Sequence, residues 1–165
     1  MRTTVIPSGS KSIKLPLRIR RAEATDIAAI IALDERVTGL VKQNYWQEIF
    51  ARYDQSRHKN GFFLVAESHD RSKDTRLLGF IVGEVRAWEF GSAPCGWVIA
   101  LSVEPEARLH GVGEALFDAI STEFKKAGVS KMRTMVARDN RLHLIFFRGE
   151  GMTAGPYIQL EKDID

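Results

Sequence analysis

The chain has 165 residues, a length typical of one domain with a proper hydrophobic core. Hydrophobic residues make up 44% and charged residues 27% of the sequence, which excludes a disordered chain. The single cysteine, Cys95, excludes a disulfide framework and a cysteine-rich zinc module. No apolar run reaches the roughly 20 residues that span a bilayer, and no apolar block near the start is typical of a secretory signal. We therefore expect a soluble cytoplasmic protein without a membrane partner.

The net charge of +3 conceals an uneven distribution along the chain. Six bases precede the first acid, Glu23, whereas the remaining 18 bases and 21 acids leave the rest of the chain at −3. The basic stretch lacks interleaved aromatic residues and is diluted by Ser, Thr, Gly and Pro, which favours a solvated tail over a nucleic-acid-binding arm. We expect residues 1–16 to be a flexible basic tail and residues 17–165 to form a single domain.

The first half of the chain predicts one strand, two helices and three further strands. Apolar and basic residues alternate over 17–21, as in a short strand. Thr25 and Asp26 offer N-cap oxygens to a first helix that ends near Gly39. A second helix is indicated by aromatic and apolar residues at helical spacing, namely Tyr45, Trp46, Ile49, Phe50 and Tyr53. The three strands that follow are expected over 62–66, 77–88 and 97–103.

The second half of the chain alternates helices and strands. A long helix with one apolar face follows Gly111 and stops at Gly128. A strand over 131–137, a helix capped by Asn140 and a last strand over 157–160 complete the order βααβββαβαβ. The strand–helix–strand unit requires at least one parallel pairing with a right-handed crossover.

The stretch 101–113, LSVEPEARLHGVG, carries the clearest chemical signal. A buried strand stops at Pro105, and Gly111 and Gly113 open a helix. Such a loop exposes backbone N–H groups at the positive end of the helix dipole, which suits phosphate, and Arg108 adds a cation. The stretch has neither the third Gly or Ala of a dinucleotide fingerprint nor the Gly-Lys-Ser/Thr of a Walker loop. Close packing of helix on strand is the alternative explanation of the two glycines.

The same stretch resembles motif A of the GNAT superfamily of N-acetyltransferases. There, Val-x-Pro-x-x-Arg-x-x-Gly-x-Gly follows the fourth strand and binds the pyrophosphate of acetyl-CoA. Every fixed position is filled here, by Val103, Pro105, Arg108, Gly111 and Gly113. Three other segments are similar to the family's opening strand and cap, its third strand and its fourth helix: 20–26, 78–80 and 140–152.

The resemblance covers about residues 17–161 and implies the fold of the family. We expect an α/β protein with a twisted, mixed, mostly antiparallel sheet of six to seven strands. Helices would lie on both faces, and the sheet would be splayed between its fourth and fifth strands.

The resemblance also implies a binding mode for acetyl-CoA as co-substrate, without a metal. Backbone groups of Leu101 and Val103 would pair with the pantetheine arm, and the N–H of Leu101 or Ser102 would stabilise the oxyanion. Further pyrophosphate or cofactor contacts are expected from Arg108, Leu109, His110, Gly111, Val112, Gly113 and Glu114.

The chain departs from the family at the position of the general acid. Asn140 would contact the pantetheine arm, and many members place Tyr seven residues later, near the sulfur, to protonate the leaving thiolate. Here that residue is Phe147, which has no proton to donate. Loss of a general acid typically costs about 10²- to 10⁴-fold in rate, although a thiol with a pKa near 8.5 leaves tolerably as thiolate. Tyr157 and His143 are candidate substitutes.

A second departure concerns the general base, which several acetyltransferases carry as Glu on the fourth strand. Residues 97–103 contain no acid and no His. The nearest candidates are Glu84, which we prefer, then Glu89 and Glu104. A surface carboxylate without a catalytic role is the alternative for each of them.

Aromatic residues are the candidates for the wall of the acceptor cleft. In the family, the region of Tyr45 and Trp46 forms one wall, although core packing is the default explanation of a helical stripe. Trp88, Trp97 and Phe90 are further candidates for the same cleft.

These observations predict an N-acetyltransferase that moves the acetyl group of acetyl-CoA to a primary amine by direct attack in a ternary complex. With no acid or His over 97–103, an acceptor of low amine pKa is favoured over an internal lysine, which means a peptide N-terminus or a small amino compound. The alternative is a catalytically silent acyl-CoA-binding or regulatory module. The sequence leaves the oligomeric state open, and a homodimer is the commonest outcome.

Overall fold

The computed structural model describes residues 16–53, 59–68 and 75–164. Residues 1–15 lie outside the described residues, so the flexible tail stays a prediction. The chain divides into two compact units, one reaching to Thr134 and one starting at Met135, and each is described by itself. The single domain expected over 17–165 likewise stays a prediction.

The first unit contains a five-stranded sheet in the order β1-β2-β3-β4-β5. Its strands are β1 (Leu17–Arg21), β2 (Gly61–Ser68), β3 (Leu77–Arg86), β4 (Cys95–Val103) and β5 (Met132–Arg133). The first four strands pair antiparallel with their neighbours, and β5 pairs parallel with β4. The predicted mixed, mostly antiparallel sheet is therefore confirmed.

Helices cover both faces of this sheet, as expected. On one face, α1 (Ile27–Thr38) and α2 (Gln43–Tyr53) pack on alternate residues of β2 and β3. The main cluster of buried residues on that face includes Ile30, Leu33, Trp46, Ile49, Phe63, Val65, Phe80 and Val82. On the other face, α3 (Val112–Lys126) lies so close that a Cβ on Gly83 would be 2.7 Å from Ile120 Cδ1. Along the described stretches of chain, no helix combines the length and apolar character needed to cross a membrane.

β4 is irregular where the sheet opens. The register between β3 and β4 shifts by one residue at Ile99, which forms a bulge that bends the strand. On its other edge, β4 pairs with β5 only at Gly96 and Trp97, and no described strand follows it from 98 to 103. The predicted splay between the fourth and fifth strands is confirmed.

The second unit contains helix α4 (Arg141–Gly149) and a segment without regular secondary structure over 152–164. The predicted strand over 157–160 is therefore wrong, and the described residues form five strands instead of six to seven. Ile158 and Leu160 are 83% and 89% exposed. An apolar run becomes a strand only where a partner strand takes up its backbone hydrogen bonds, and none of the described strands pairs with this segment. The fifth strand is also shorter than the predicted 131–137, because only its first residues pair with β4.

Candidate active site

The chain leaves β4, makes a short 3-10 turn over Pro105–Ala107 and enters α3 through a tight loop. Within this loop the backbone adopts left-handed angles at Leu109 and Gly111, with φ values of 65° and 80°. Gly111 is the N-cap of α3, and a residue without Cβ adopts that angle most readily. Ala115 N–H donates to the Gly111 carbonyl at 3.0 Å. The N–H groups of the first helical turn, at 112–114, have no intrahelical acceptor and are available to an anion.

The loop also carries a cation next to these donors. Within the described part of the chain, the Arg108 guanidinium forms no hydrogen bond or ion pair. His110 Nδ1 donates to the Arg108 carbonyl at 2.8 Å, so the imidazole stabilises the conformation of the loop. The helix dipole, the N–H groups and Arg108 together fit a pyrophosphate.

The open edge of β4 leads directly into this loop. Glu104 N–H donates to the Leu78 carbonyl at 2.8 Å, which identifies these two as a hydrogen-bonded pair of the antiparallel ladder. Because bonded and non-bonded pairs alternate, Ser102 bonds toward β3, whereas Leu101 and Val103 direct their backbone groups to the open edge. An amide-containing arm can pair with that edge as an added strand does. The alternation also favours the Leu101 N–H over the Ser102 N–H as an oxyanion donor.

Glu104, one of the candidate bases, is buried and stabilises the start of the loop through ion pairs. It is 2% exposed, and Arg36 of α1 donates hydrogen bonds to both of its oxygens. Arg76 Nη2 lies 3.8 Å from one of them. The hydrogen bond to Glu104 raises the pKa of Arg36, although burial acts in the opposite direction. The Glu104 carboxylate therefore forms ion pairs with two arginines, and the pair with Arg36 connects α1 to the start of the loop.

Glu84, the preferred base, belongs to a hydrogen-bonded network on the α2 face of the sheet. It lies opposite Trp97 of β4. Its Oε2 accepts a hydrogen bond from the Tyr53 hydroxyl and its Oε1 accepts one from Arg86 Nε, each at 2.7 Å. Burial, reinforced by the carboxylate of Glu84, raises the pKa of the Tyr53 hydroxyl above its ordinary value, so the hydroxyl remains a donor. The Arg86 guanidinium also lies 5.3 Å from the centroid of the Trp97 ring.

The turn after β3 exposes aromatic side chains beside the third candidate base. Glu89 has a side chain that is 46% exposed, with Oε2 3.7 Å from Arg86 Nη1. Trp88 and Phe90 flank it in left-handed backbone conformations, at φ 61° and 54°, and are 72% and 69% exposed. Such angles are unfavourable for bulky residues and recur at functional sites.

The two aromatic residues predicted for the acceptor wall on α2 differ in exposure. Tyr45 is 42% exposed, whereas Trp46 is 2% exposed and packs edge-on against Phe80 with ring centroids 4.9 Å apart. Trp46 Nε1 donates to the buried Asp34 carboxylate at 2.8 Å, and Lys42 Nζ lies 2.9 Å from the same oxygen. Core packing therefore describes Trp46, and Tyr45 is the accessible member of the pair.

Asn140, Phe147 and Tyr157 lie in the second unit. The Asn140 side chain caps α4 as predicted, since its Oδ1 accepts a hydrogen bond from His143 N–H at 3.1 Å. Phe147 is 6% exposed, with the Phe146 ring at 5.2 Å and the His143 ring at 6.0 Å between centroids. Tyr157 is 46% exposed and follows α4 in the irregular segment. Their roles toward acetyl-CoA and the leaving thiolate stay predictions.

The sequence pattern does not single out Arg86, and it identifies Tyr53 only as a member of a helical apolar stripe. The alternation of side chains along β3 is a signal that places residues 84 and 86 on one face. No local signal connects Tyr53 with Glu84, which is 31 residues away. The described residues contain no group of three or more His, Cys, Asp or Glu side chains placed to hold a metal ion.

Comparison with known proteins gives a match to a family model. The sequence model of the Acetyltransferase (GNAT) family matches residues 27–149. A search of curated proteins gives no significant match.

Several solved structures have similar folds. The aminoglycoside N-acetyltransferase AAC(6')-Iy in complex with CoA has a TM-score of 0.76 at 15% identity, covering 96% of this chain and 99% of that one. Glucosamine-6-phosphate N-acetyltransferase from Arabidopsis thaliana has a TM-score of 0.68 at 18% identity, covering 90% and 99%. The aminoglycoside 6'-N-acetyltransferase AAC(6')-Ih from Acinetobacter baumannii has a TM-score of 0.72 at 16% identity, covering 90% and 99%. At these identities the likeness establishes a common fold.

Proposed function

The chain belongs to the GNAT family of acetyltransferases, and on this basis we propose that it transfers the acetyl group of acetyl-CoA to a primary amine of a small amino compound or a peptide N-terminus. The observation that carries the proposal is the loop from Arg108 into α3. It brings a cation that has no partner among the described residues, together with the N–H groups of a helix start, to the end of an open strand edge. A pyrophosphate joined to an extended amide arm is the ligand chemistry that matches both features.

Different residues of this chain would bind different parts of acetyl-CoA. Arg108 and the N–H groups of the helix start would hold the pyrophosphate, and the backbone of Leu101 and Val103 would pair with the pantetheine arm. Asn140 and Phe147, carried over from the family motif, would contact the pantetheine arm and the region of the sulfur.

When bound, acetyl-CoA supplies a thioester carbonyl that a neutral amine can attack. The Leu101 N–H would donate to the carbonyl oxygen as negative charge develops there. Both oxygens of Glu84 already accept hydrogen bonds, so the proton of the amine would reach this carboxylate through a water. Tyr157 is the candidate to protonate the leaving thiolate, which a thiol pKa near 8.5 makes a tolerable leaving group without acid.

The class of acceptor is inferred from the general base, which would act only through a water. At pH 7 an α-amine with a pKa of 7.7 to 8.0 is roughly 10–15% neutral, whereas a lysine amine is under about 0.1% neutral. An acceptor of the first kind needs only a relayed base. Two of the similar structures are enzymes named for aminoglycosides and one for glucosamine-6-phosphate, which are small amino compounds.

A second candidate function, a catalytically silent acyl-CoA-binding module, is favoured by Phe147 and by the absence of an acid over 97–103. The two functions are separated by incubating the protein with acetyl-CoA, with and without glucosamine, and measuring released thiol. We expect amine-dependent thiol release. Binding of CoA by calorimetry without thiol release for any amine tested would instead support the silent module.

A further inference from the structure

We infer that Tyr53 is a positioning residue of the acetyl transfer, whose hydroxyl fixes the Glu84 carboxylate where it takes up the acceptor's proton. This inference rests on the proposed function, because the orientation of Glu84 affects a rate only if an amine is acetylated beside it. Neither the family motif nor the sequence pattern assigns a role to this tyrosine.

The Tyr53 hydroxyl is itself held in a fixed position. Tyr53 is the last residue of α2 and is 5% exposed. Its ring lies on Gly61 of β2 so closely that a Cβ at Gly61 would overlap it. A helix end packed on the sheet therefore presents the hydroxyl at a defined point, 2.7 Å from Glu84 Oε2.

The Glu84 carboxylate is held from both sides. Arg86, two residues further along β3 and on the same face, donates to Oε1 at 2.7 Å. With a donor on each oxygen, rotation of the carboxylate would break at least one short hydrogen bond. The Glu84 side chain is still 23% exposed, so its remaining lone pairs are open to the water that would relay the proton.

Glu84 is located near the point where β4 loses its pairing with β5. Glu84 lies opposite Trp97, which is the last residue of β4 that pairs with β5. The open edge of β4 begins at the next residue, and the bulge at Ile99 follows it. Glu84 of β3 is thus an acidic side chain close to the start of the open edge of β4. At this edge the acceptor would meet the thioester.

A purely structural role for the Tyr53 hydroxyl makes a different prediction. If the hydroxyl only secures α2 on the sheet, its removal lowers the melting temperature, and any effect on the rate is independent of the charge on Glu84. If it positions Glu84, its contribution to the rate disappears once the carboxylate is gone. A double-mutant cycle distinguishes the two cases.

The cycle uses Tyr53→Phe, which keeps the ring against Gly61, Glu84→Gln, which keeps the shape of the side chain, and the double variant. Thr122→Val is the matched control, because it removes a hydroxyl on α3 that donates only to the Asp118 carbonyl. Initial rates of thiol release are measured with acetyl-CoA and glucosamine, and with a tripeptide that has a free N-terminus. Thermal unfolding of each variant checks that the fold is retained.

We expect Glu84→Gln to lower kcat about ten- to thirtyfold. This loss is smaller than the loss of a base that contacts the amine directly, because water relays the proton. Tyr53→Phe should lower kcat about three- to tenfold through loss of one charge-assisted hydrogen bond. The double variant should match Glu84→Gln within about twofold, with the KM for acetyl-CoA unchanged in all variants.

Additive losses in the double variant, or a loss in Tyr53→Phe that appears in the KM for acetyl-CoA, would overturn the inference while leaving the proposed function intact. A wild-type protein that acetylates neither acceptor would overturn both. The two failures are therefore distinguishable in one set of assays.

Discussion

At Gly111 the backbone turns into α3 with a φ of 80°, and among the described residues no atom beyond the chain neighbours and the helix backbone lies within 4 Å of where a Cβ would be. A bulky residue there is strained by about 1 to 3 kcal/mol and would stand at the helix start that we assign to pyrophosphate. Gly111→Val should therefore abolish the rise in melting temperature that CoA gives the wild-type protein, as measured by scanning calorimetry.

Gly128 provides the matched control for this substitution. It has a φ of 82° and equally open surroundings, but it lies past the other end of the same helix. Gly128→Val should lower the melting temperature of the free protein by a similar amount and keep the response to CoA. Equal responses to CoA in the two variants would show that Gly111 has no special role in binding.

At this scale, the sequence predicts a site whose residues are close together in the chain, and it does not predict contacts between residues that are far apart in the chain. Val103, Pro105, Arg108, Gly111 and Gly113 share one short stretch, so their spacing alone predicts a strand end, a loop and a helix start. The contact between Tyr53 and Glu84 depends on how α2 packs on β3, which no local pattern specifies. Likewise, the exposure of Trp88 and the burial of Trp46 depend on the tertiary structure.

At the scale of elements, a partly buried ion-pair network joins β1, β2 and the start of α1. Both oxygens of Asp26 accept hydrogen bonds from Arg20, at 2.7 and 2.9 Å, and Arg20 Nε donates to Glu67 at 2.9 Å. Burial alone would raise the pKa of Asp26, but the bonds from Arg20 and from the Glu23 N–H lower it below its ordinary value.

This lowered pKa gives the network a defined pH dependence. Because Asp26 is more acidic in the folded state, its stabilising effect is complete above the unfolded pKa of about 3.9 and is lost as the pH falls through the folded value. Asp26→Asn should cost about 2 to 4 kcal/mol of unfolding free energy at pH 7. In urea titrations, the difference from wild type should shrink below pH ~4. Asp118→Asn, at an exposed position of α3, should be neutral; a cost for Asp26→Asn that persists at low pH would contradict this account.

The packing of α3 on the sheet depends on glycine at position 83. A Cβ there would lie 2.7 Å from both Ile120 Cδ1 and the Trp97 carbonyl oxygen. Gly83→Ala should therefore destabilise the protein by about 1 to 3 kcal/mol through overpacking. Gly149→Ala is the control, because in the described part of the chain no atom beyond its neighbours and its own helix lies within 4 Å of the Cβ position, and it should change the free energy of unfolding in urea very little. Equal stability of the two variants would contradict the close approach of α3 to β3.

The elements themselves are predicted well where pattern and partners agree. Gly39 and Gly128 end α1 and α3 with left-handed caps, as the sequence indicates. The mostly apolar segment 157–160 predicts a strand but has no described partner, and the fifth strand shortens because the sheet opens beside it. Sequence periodicity reports which face a segment could bury, whereas strand pairing is set by the rest of the fold.

At the scale of the whole molecule, acetyl transfer should follow the titration of the acceptor. Because the proposed base acts through water, the fraction of neutral amine limits the rate. The value of kcat/KM for a tripeptide α-amine should rise about tenfold per pH unit below the amine pKa of 7.7 to 8.0 and level off above it. Rates measured between pH 6 and 9 test this, and a profile independent of the acceptor's pKa would contradict it.

The most direct test of the account is a competition between amines, read by mass spectrometry. Wild-type protein is incubated at pH 7 with acetyl-CoA and equal concentrations of glucosamine, a tripeptide with a free N-terminus, and Nα-acetyl-lysine amide, with Gly111→Val in parallel. We predict acetylated glucosamine or N-terminally acetylated tripeptide as the main product, and little product from the Gly111→Val variant. Preferential acetylation of the lysine side chain would contradict the proposed acceptor class, and no acetylated amine in any mixture would contradict the proposed activity.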